Sequence, residues 1–161
     1  MSPSIVQRAG LDDVEEMHCL IRDTLTEDFS SFTDEARANY IDTWSRDQLR
    51  QQVSNGDKLS LTASQDGKLQ GIVVGNTPEA GVATIIWLLV KSPYQSLGVG
   101  ALLFEHACRL YQEQGLHKVK LTASNKRARD FYVSQGMQEE GFHPQHWWKI
   151  DFWVLGKLLD Q

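Results

Sequence analysis

The segment Val82–Val90, reading Val-Ala-Thr-Ile-Ile-Trp-Leu-Leu-Val, constrains the fold more than any other part of the chain. It is far too short to cross a bilayer, which takes about 20 apolar residues in a helix. Apolar and polar positions scarcely alternate along it. Such a run predicts a strand buried on both faces, so the chain must pack structure above and below it. Pro93 stops the run. A turn holding Gly98 and Gly100 follows, and then apolar residues recur at Val99, Leu102, Leu103, Ala107, Leu110 and Tyr111. That spacing predicts a helix with one apolar face, ended by Gly115.

The flanking sequence supplies the layers. Residues 4–9 predict a strand, and residues 11–27 a helix with Val14, Met17, Leu20, Ile21 and Leu25 on one face. Asp12 followed by Glu15 reads as a capping box for it. Residues 29–40 predict a shorter, less regular helix. Ser45 followed by Gln48 reads as an N-cap for a helix running to Asn55 and Gly56. Residues 59–64 and 69–75 flank Asp66-Gly67, a hairpin signal. A second turn over residues 78–81 leads into Val82–Val90. Residues 117–122 predict a strand, and residues 125–135 a helix with Gly136 beyond its end. Residues 137–142 and 147–155 predict two closing strands. The order predicts an α+β fold whose sheet is mixed and mostly antiparallel, without the β-α-β repeat of a dinucleotide-binding sheet.

At 161 residues the chain has the length of one domain, 1–161. Hydrophobic residues at 41% and charged residues at 23% describe an ordinary globule rather than a disordered chain. A formal charge of −5 argues against nucleic-acid binding, which normally takes a basic face. Cys19 and Cys108 are isolated and read as two buried thiols in a reducing compartment. No basic segment followed by an apolar run opens the sequence, so a cytoplasmic location without membrane association is expected.

The chemistry concentrates in Gln95, Ser96, Leu97, Gly98, Val99 and Gly100. The glycines lack a Cβ, which lets a ligand approach the backbone. The first turn of the following helix offers unpaired N–H groups and the positive end of the macrodipole, a site suited to phosphate. A dinucleotide fingerprint needs a third glycine where Leu103 stands, and the Gly-Lys-Ser/Thr of a Walker loop is absent.

This segment resembles the acetyl-CoA loop of the GNAT superfamily of N-acetyltransferases, Gln/Arg-x-x-Gly-x-Gly/Ala, and matches it in full. A second family block, Asn-x-x-Ala-x-x-Phe-Tyr-x-x-x-Gly-Phe, is met by Asn125, Ala128, Phe131, Tyr132 and Gly136, with Met137 replacing the last Phe. The resemblance implies a GNAT-like sheet of about six to seven strands, flanked by helices and splayed at the cofactor site. It implies that the backbone of Leu88, Leu89 and Val90 pairs with the pantetheine arm, and that the amides of residues 95–100 hold the pyrophosphate of acetyl-CoA. Asn125 matches a cofactor-contacting position, although a plain helix N-cap explains it equally well. Lys126, Arg127 and Arg129 match the side of the 3′-phosphate, or else a solvated helix face. Tyr132 matches the general acid that serves the departing thiolate.

The acceptor side is less defined. No acid lies within Val82–Val90, so Glu79, Asp28, Glu35 and Asp42 stand as base candidates, with water as the alternative. Tyr40, Trp44, His143 and His146 are candidates for the acceptor cleft, whereas Trp147 is expected in the core or at a subunit interface. Two histidines are too few for a metal site, and none is expected. The resemblance implies an N-acetyltransferase acting on a primary amine of a small molecule, a lysine side chain or a peptide N-terminus, with a homodimer open. A non-catalytic acyl-CoA-binding or regulatory module on the same fold is the alternative.

Overall fold

The structure is a computed structural model that describes residues 2–27 and 29–159. Its sheet grows from two tight turns. Asp66 (φ 52°) and Gly67 (φ 77°) join β2 (Ser60–Gln65) to β3 (Lys68–Gly75). Ala80 (φ 53°) and Gly81 (φ 80°) turn the chain into β4 (Val82–Val90). Paired left-handed residues match the twist of antiparallel strands, which is why such turns set hairpin register. β1 (Ile5–Arg8), β5 (Lys118–Ala123), β6 (Gln138–Trp147) and β7 (Ile150–Leu158) complete a seven-stranded sheet in the order β1-β2-β3-β4-β5-β7-β6. Every neighbouring pair is antiparallel except β4 and β5. This is the mixed, mostly antiparallel sheet that the element order predicts, with a strand number within the six to seven that the resemblance implies.

Helices cover both faces. α1 (Val14–Glu27), α2 (Asp34–Thr43) and α3 (Arg46–Ser54) lie on one side. α4 (Val99–Glu113) and α5 (Lys126–Ser134) lie on the other. The Ser45 cap forms as expected, its Oγ accepting from the Gln48 N–H at 3.2 Å. The Asp12–Glu15 box does not form. A 3-10 turn over Leu11–Asp13 precedes α1, and there the Asp13 carboxylate accepts from the Gly10 N–H at 2.8 Å. Gly10 is the last extended residue, so the capping carboxylate falls three residues after it rather than at Glu15.

The two cores meet across β4. Ala83 and Ile85 face the α4 side, whereas the consecutive Ile86 and Trp87 both face α1–α3. Leu88 and Val90 then return to the α4 side and Leu89 to the other. A β-bulge causes this switch: opposite β3, the register skips from Val74↔Trp87 to Gly75↔Ile85. Both faces of β4 are covered, one by the α4 core and the other by the α1–α3 core, which is why apolar and polar positions scarcely alternate along it.

Two expectations need correction. The closing strands are longer than predicted: β6 runs to Trp147 and meets β7 through Trp148 (φ 52°) and Lys149 (φ 61°). No glycine or asparagine marks that turn, and an irregular register between His143 and Trp147 absorbs Pro144, which has no N–H to donate. Nor are both thiols buried. Cys108 is, and burial pushes its pKa up to about 11, but Cys19 is only half-buried on α1. Among the described residues, no helix is long and apolar enough to cross a membrane.

Gly71 on β3 allows the sheet to pack closely beneath α4. A Cβ there would sit 2.7 Å from the Leu89 carbonyl oxygen and 3.0 Å from the Leu103 side chain. Since backbone cannot yield cheaply, Gly71→Ala is expected to cost about 1–3 kcal/mol. Urea unfolding should show a lower midpoint with an unchanged slope.

Candidate functional site

The site arises where two strands part. β4 pairs with β5 only over residues 82–84 and 118–120. Beyond Thr84, β4 keeps β3 as a neighbour through Val90, and β5 keeps β7 through Ala123. The sheet thus splits into a V, and the inner edge of β4 has no strand beside it. A cavity of about 550 Å³ fills the opening. Thr84 to Leu89 line one wall, while Lys120 to Asn125 together with Ala128 and Tyr132 line the other.

At the end of β4 the chain makes a 3-10 turn over Ser92–Tyr94, where Pro93 fits because its missing N–H is not needed. Gln95 then ties the loop back: its Nε2 donates to the Val90 carbonyl at 3.1 Å, and its Oε1 accepts from Arg127 at 3.3 Å. Ser96 (φ 64°) and Gly98 (φ 87°) both adopt left-handed backbone, and Leu97 between them is 70% exposed. Gly98 is the N-cap of α4 and supplies no capping side chain. The first helical bond is Leu102 N–H to Gly98 C=O at 3.0 Å, so the amides of Val99, Gly100 and Ala101 precede the helical ladder. A Cβ on Gly98 would meet nothing within 4 Å, so the loop is open beside the residue that starts the helix.

Gly100 packs tightly against its neighbours. Its missing Cβ faces the Phe131 ring at 3.2 Å and Leu88 at 3.6 Å. Its smallness therefore lets α4 come against α5 and β4.

α5 carries the opposite wall. Asn125 is its N-cap, with Oδ1 accepting from the Ala128 N–H at 2.8 Å, and it also lines the cavity. Tyr132 stands on the same helix, buried at 8% exposure between Phe131 (5.2 Å) and Phe104 (5.9 Å). Burial raises its hydroxyl pKa well above the ordinary phenol range. Arg127 is exposed beside the loop, whereas Arg129 turns away, pairing with Asp130 at 2.9 Å and Glu139 at 3.4 Å over the Trp153 ring.

The acceptor candidates divide. Tyr40, His143 and His146 line the cavity, and their imidazole Nδ1 atoms lie 3.3 Å apart. Trp147 is not in the core: it is 52% exposed and lines the same cavity, stacked beside His146 at 4.1 Å. Trp44 is buried behind Trp87 and does not reach the lining. Glu35, Asp42 and Glu79 are exposed and outside it, and Asp28 lies outside the described residues. Phe29, Phe32 and Phe152 also line the cavity and had no signal in the sequence. Phe29 and Phe32 reach it from the segment ahead of α2, and Phe152 from β7. Among the described residues, no group of three or more His, Cys, Asp or Glu side chains is disposed to hold a metal ion.

This geometry is that of a known family. The acetyltransferase (GNAT) family model matches residues 20–137, and the chain belongs to that family. The paiA N-acetyltransferase of Thermoplasma acidophilum, solved with coenzyme A, superposes with a TM-score of 0.84 at 20% identity, covering 97% of this chain and 99% of that one. The ribosomal-protein-S18-alanine N-acetyltransferase of Escherichia coli follows at 0.77 and 18% identity, over 99% and 96%. An aminoglycoside 6′-N-acetyltransferase complexed with coenzyme A gives 0.73 at 13% identity, over 98% of each chain. At such identities these structures share the fold. No curated protein sequence matches the chain.

Because the Asn125 oxygen caps a short helix, Asn125→Ala is expected to cost about 1 kcal/mol in urea unfolding, and Asn125→Asp, which also caps, to cost much less.

Proposed function

We propose that this chain, as one domain, transfers the acetyl group of acetyl-CoA to a primary amine by direct attack in a ternary complex. The unpaired edge of β4, opening onto a cavity that Tyr132 lines and followed in the chain by a helix N-terminus without a capping side chain, carries this reading. The residues present fit the donor. The amides of Val99, Gly100 and Ala101, ahead of the helical ladder, and the open space beside Gly98 suit a pyrophosphate. Residues 88–90 offer backbone on which a pantetheine arm adds like a strand. Gln95 and Arg127, bonded to each other, hold the loop in shape, and Arg127 adds a positive charge beside it.

Acetyl-CoA supplies an activated acyl carbon and a thiolate leaving group. As the amine nitrogen forms the C–N bond, the C–S bond breaks and its electron pair leaves on sulfur. A free thiol ionises near about 8.5 and a phenol near about 10. With its hydroxyl raised further by burial, Tyr132 holds its proton and donates a hydrogen bond to the developing thiolate. The amine must shed a proton. Among the described lining residues there is no carboxylate, so the adjacent imidazoles of His143 and His146 take that role.

Tyr132→Phe should lower kcat by about 10²-fold or more while the Kd for acetyl-CoA, measured by calorimetry, stays unchanged. Wild-type thiol release in that variant would remove Tyr132 from the mechanism. Replacing both His143 and His146 by Gln should likewise lower kcat by about 10²-fold. Acetyl-CoA binding without acceptor-dependent thiol release, across a panel of amines, would favour a non-catalytic acyl-CoA-binding module instead.

A further inference from the structure

The rest of the cavity is built of rings. On the α1–α2 side, Phe29 and Phe32 lie 4.8 Å apart, Phe32 and Tyr40 5.5 Å, and Tyr40 meets Trp87 edge-on at 6.1 Å. From the β6–β7 hairpin, Trp147 meets Phe152 at 5.6 Å and His146 at 4.1 Å. These two groups line the same cavity from separate elements, beside the walls that the splayed strands β4 and β5 supply.

The charge pattern is equally specific. Despite the net charge of −5, no described lining residue is a carboxylate, and the one charged side chain among them is Lys120. A polycation entering here would leave its extra ammonium groups without counter-charges and facing a like charge. A single amine on an aromatic body would instead bury its ring against the walls, while the low polarity and Lys120 favour its neutral, nucleophilic form.

From this we infer that the acceptor is a primary amine borne on an aromatic body, and that Trp147 is a residue that determines this specificity. The inference rests on the acetyl-transfer reading above and names the substrate class of that site. The bonds made and broken are those already given, with the amine proton passing to the imidazole pair.

The test is thiol release from acetyl-CoA by the whole chain. Tryptamine and 2-phenylethylamine are compared with spermidine, an aminoglycoside and an alanine-led peptide. The expected result is a kcat/KM at least about tenfold higher for the two aromatic amines. Trp147 is half-exposed at the hairpin, so its replacement should leave the fold intact. Trp147→Ala should raise the KM for tryptamine about tenfold with the KM for acetyl-CoA unchanged, and Trp147→Phe should restore most of the loss. A preference for spermidine, the aminoglycoside or the peptide would overturn the inference and leave acetyl transfer standing, as would an unchanged tryptamine KM in Trp147→Ala. Acetyl-CoA binding with no release to any amine would overturn both.

Discussion

The structure depends on the parting of β4 from β5. Three paired positions hold the strands together, and then each keeps only its outer neighbour. An interior sheet edge is normally a liability, because its N–H and C=O groups need partners. Here the bulge at Ile86 and Trp87 accompanies the split and re-aims the strand. It sends Trp87 toward α1–α3 and leaves Leu88 packed toward α4, so both walls stay covered while the edge between them opens.

Everything placed around the V answers to that opening. Gly71 and Gly100 let α4 lie close to the sheet and to α5, which brings the start of α4 to the end of β4. Gln95 then fixes the intervening loop to the Val90 carbonyl. On the other wall, the Asn125 cap starts α5 where β5 ends, and one helical pass carries Tyr132 into the cavity between two rings. The same packing that seats the phenol strips it of water and holds its proton on.

Much of this was legible in the chain. The bounds of β4 were readable from Val82–Val90, and the helix start after Gly98 from the spacing of Val99, Leu103 and Ala107. The family was readable because the chemistry of its loop demands glycine, and because Asn125, Phe131 and Tyr132 recur at fixed helical offsets. Other features left little trace. The Trp148-Lys149 turn carries no turn residue, so residues 143–146 read as the connection between the closing strands and Trp147 as the start of the second. Trp147 resembled core on composition alone, since an aromatic side chain says nothing about which side of a strand meets solvent.

The sequence by itself determined the element order, the glycine turns, the caps at Ser45 and Asn125, and the family. These depend on local propensity and on residues close together along the chain. Only the tertiary structure decided where β4 separates from β5, that Gly100 serves helix packing, and that rings from two distant segments line one cavity with no carboxylate among its described lining residues. Those outcomes depend on contacts between residues far apart in sequence, such as Phe32 with Tyr40 and Trp87, or Trp147 with Phe152, and no periodicity within one segment encodes them.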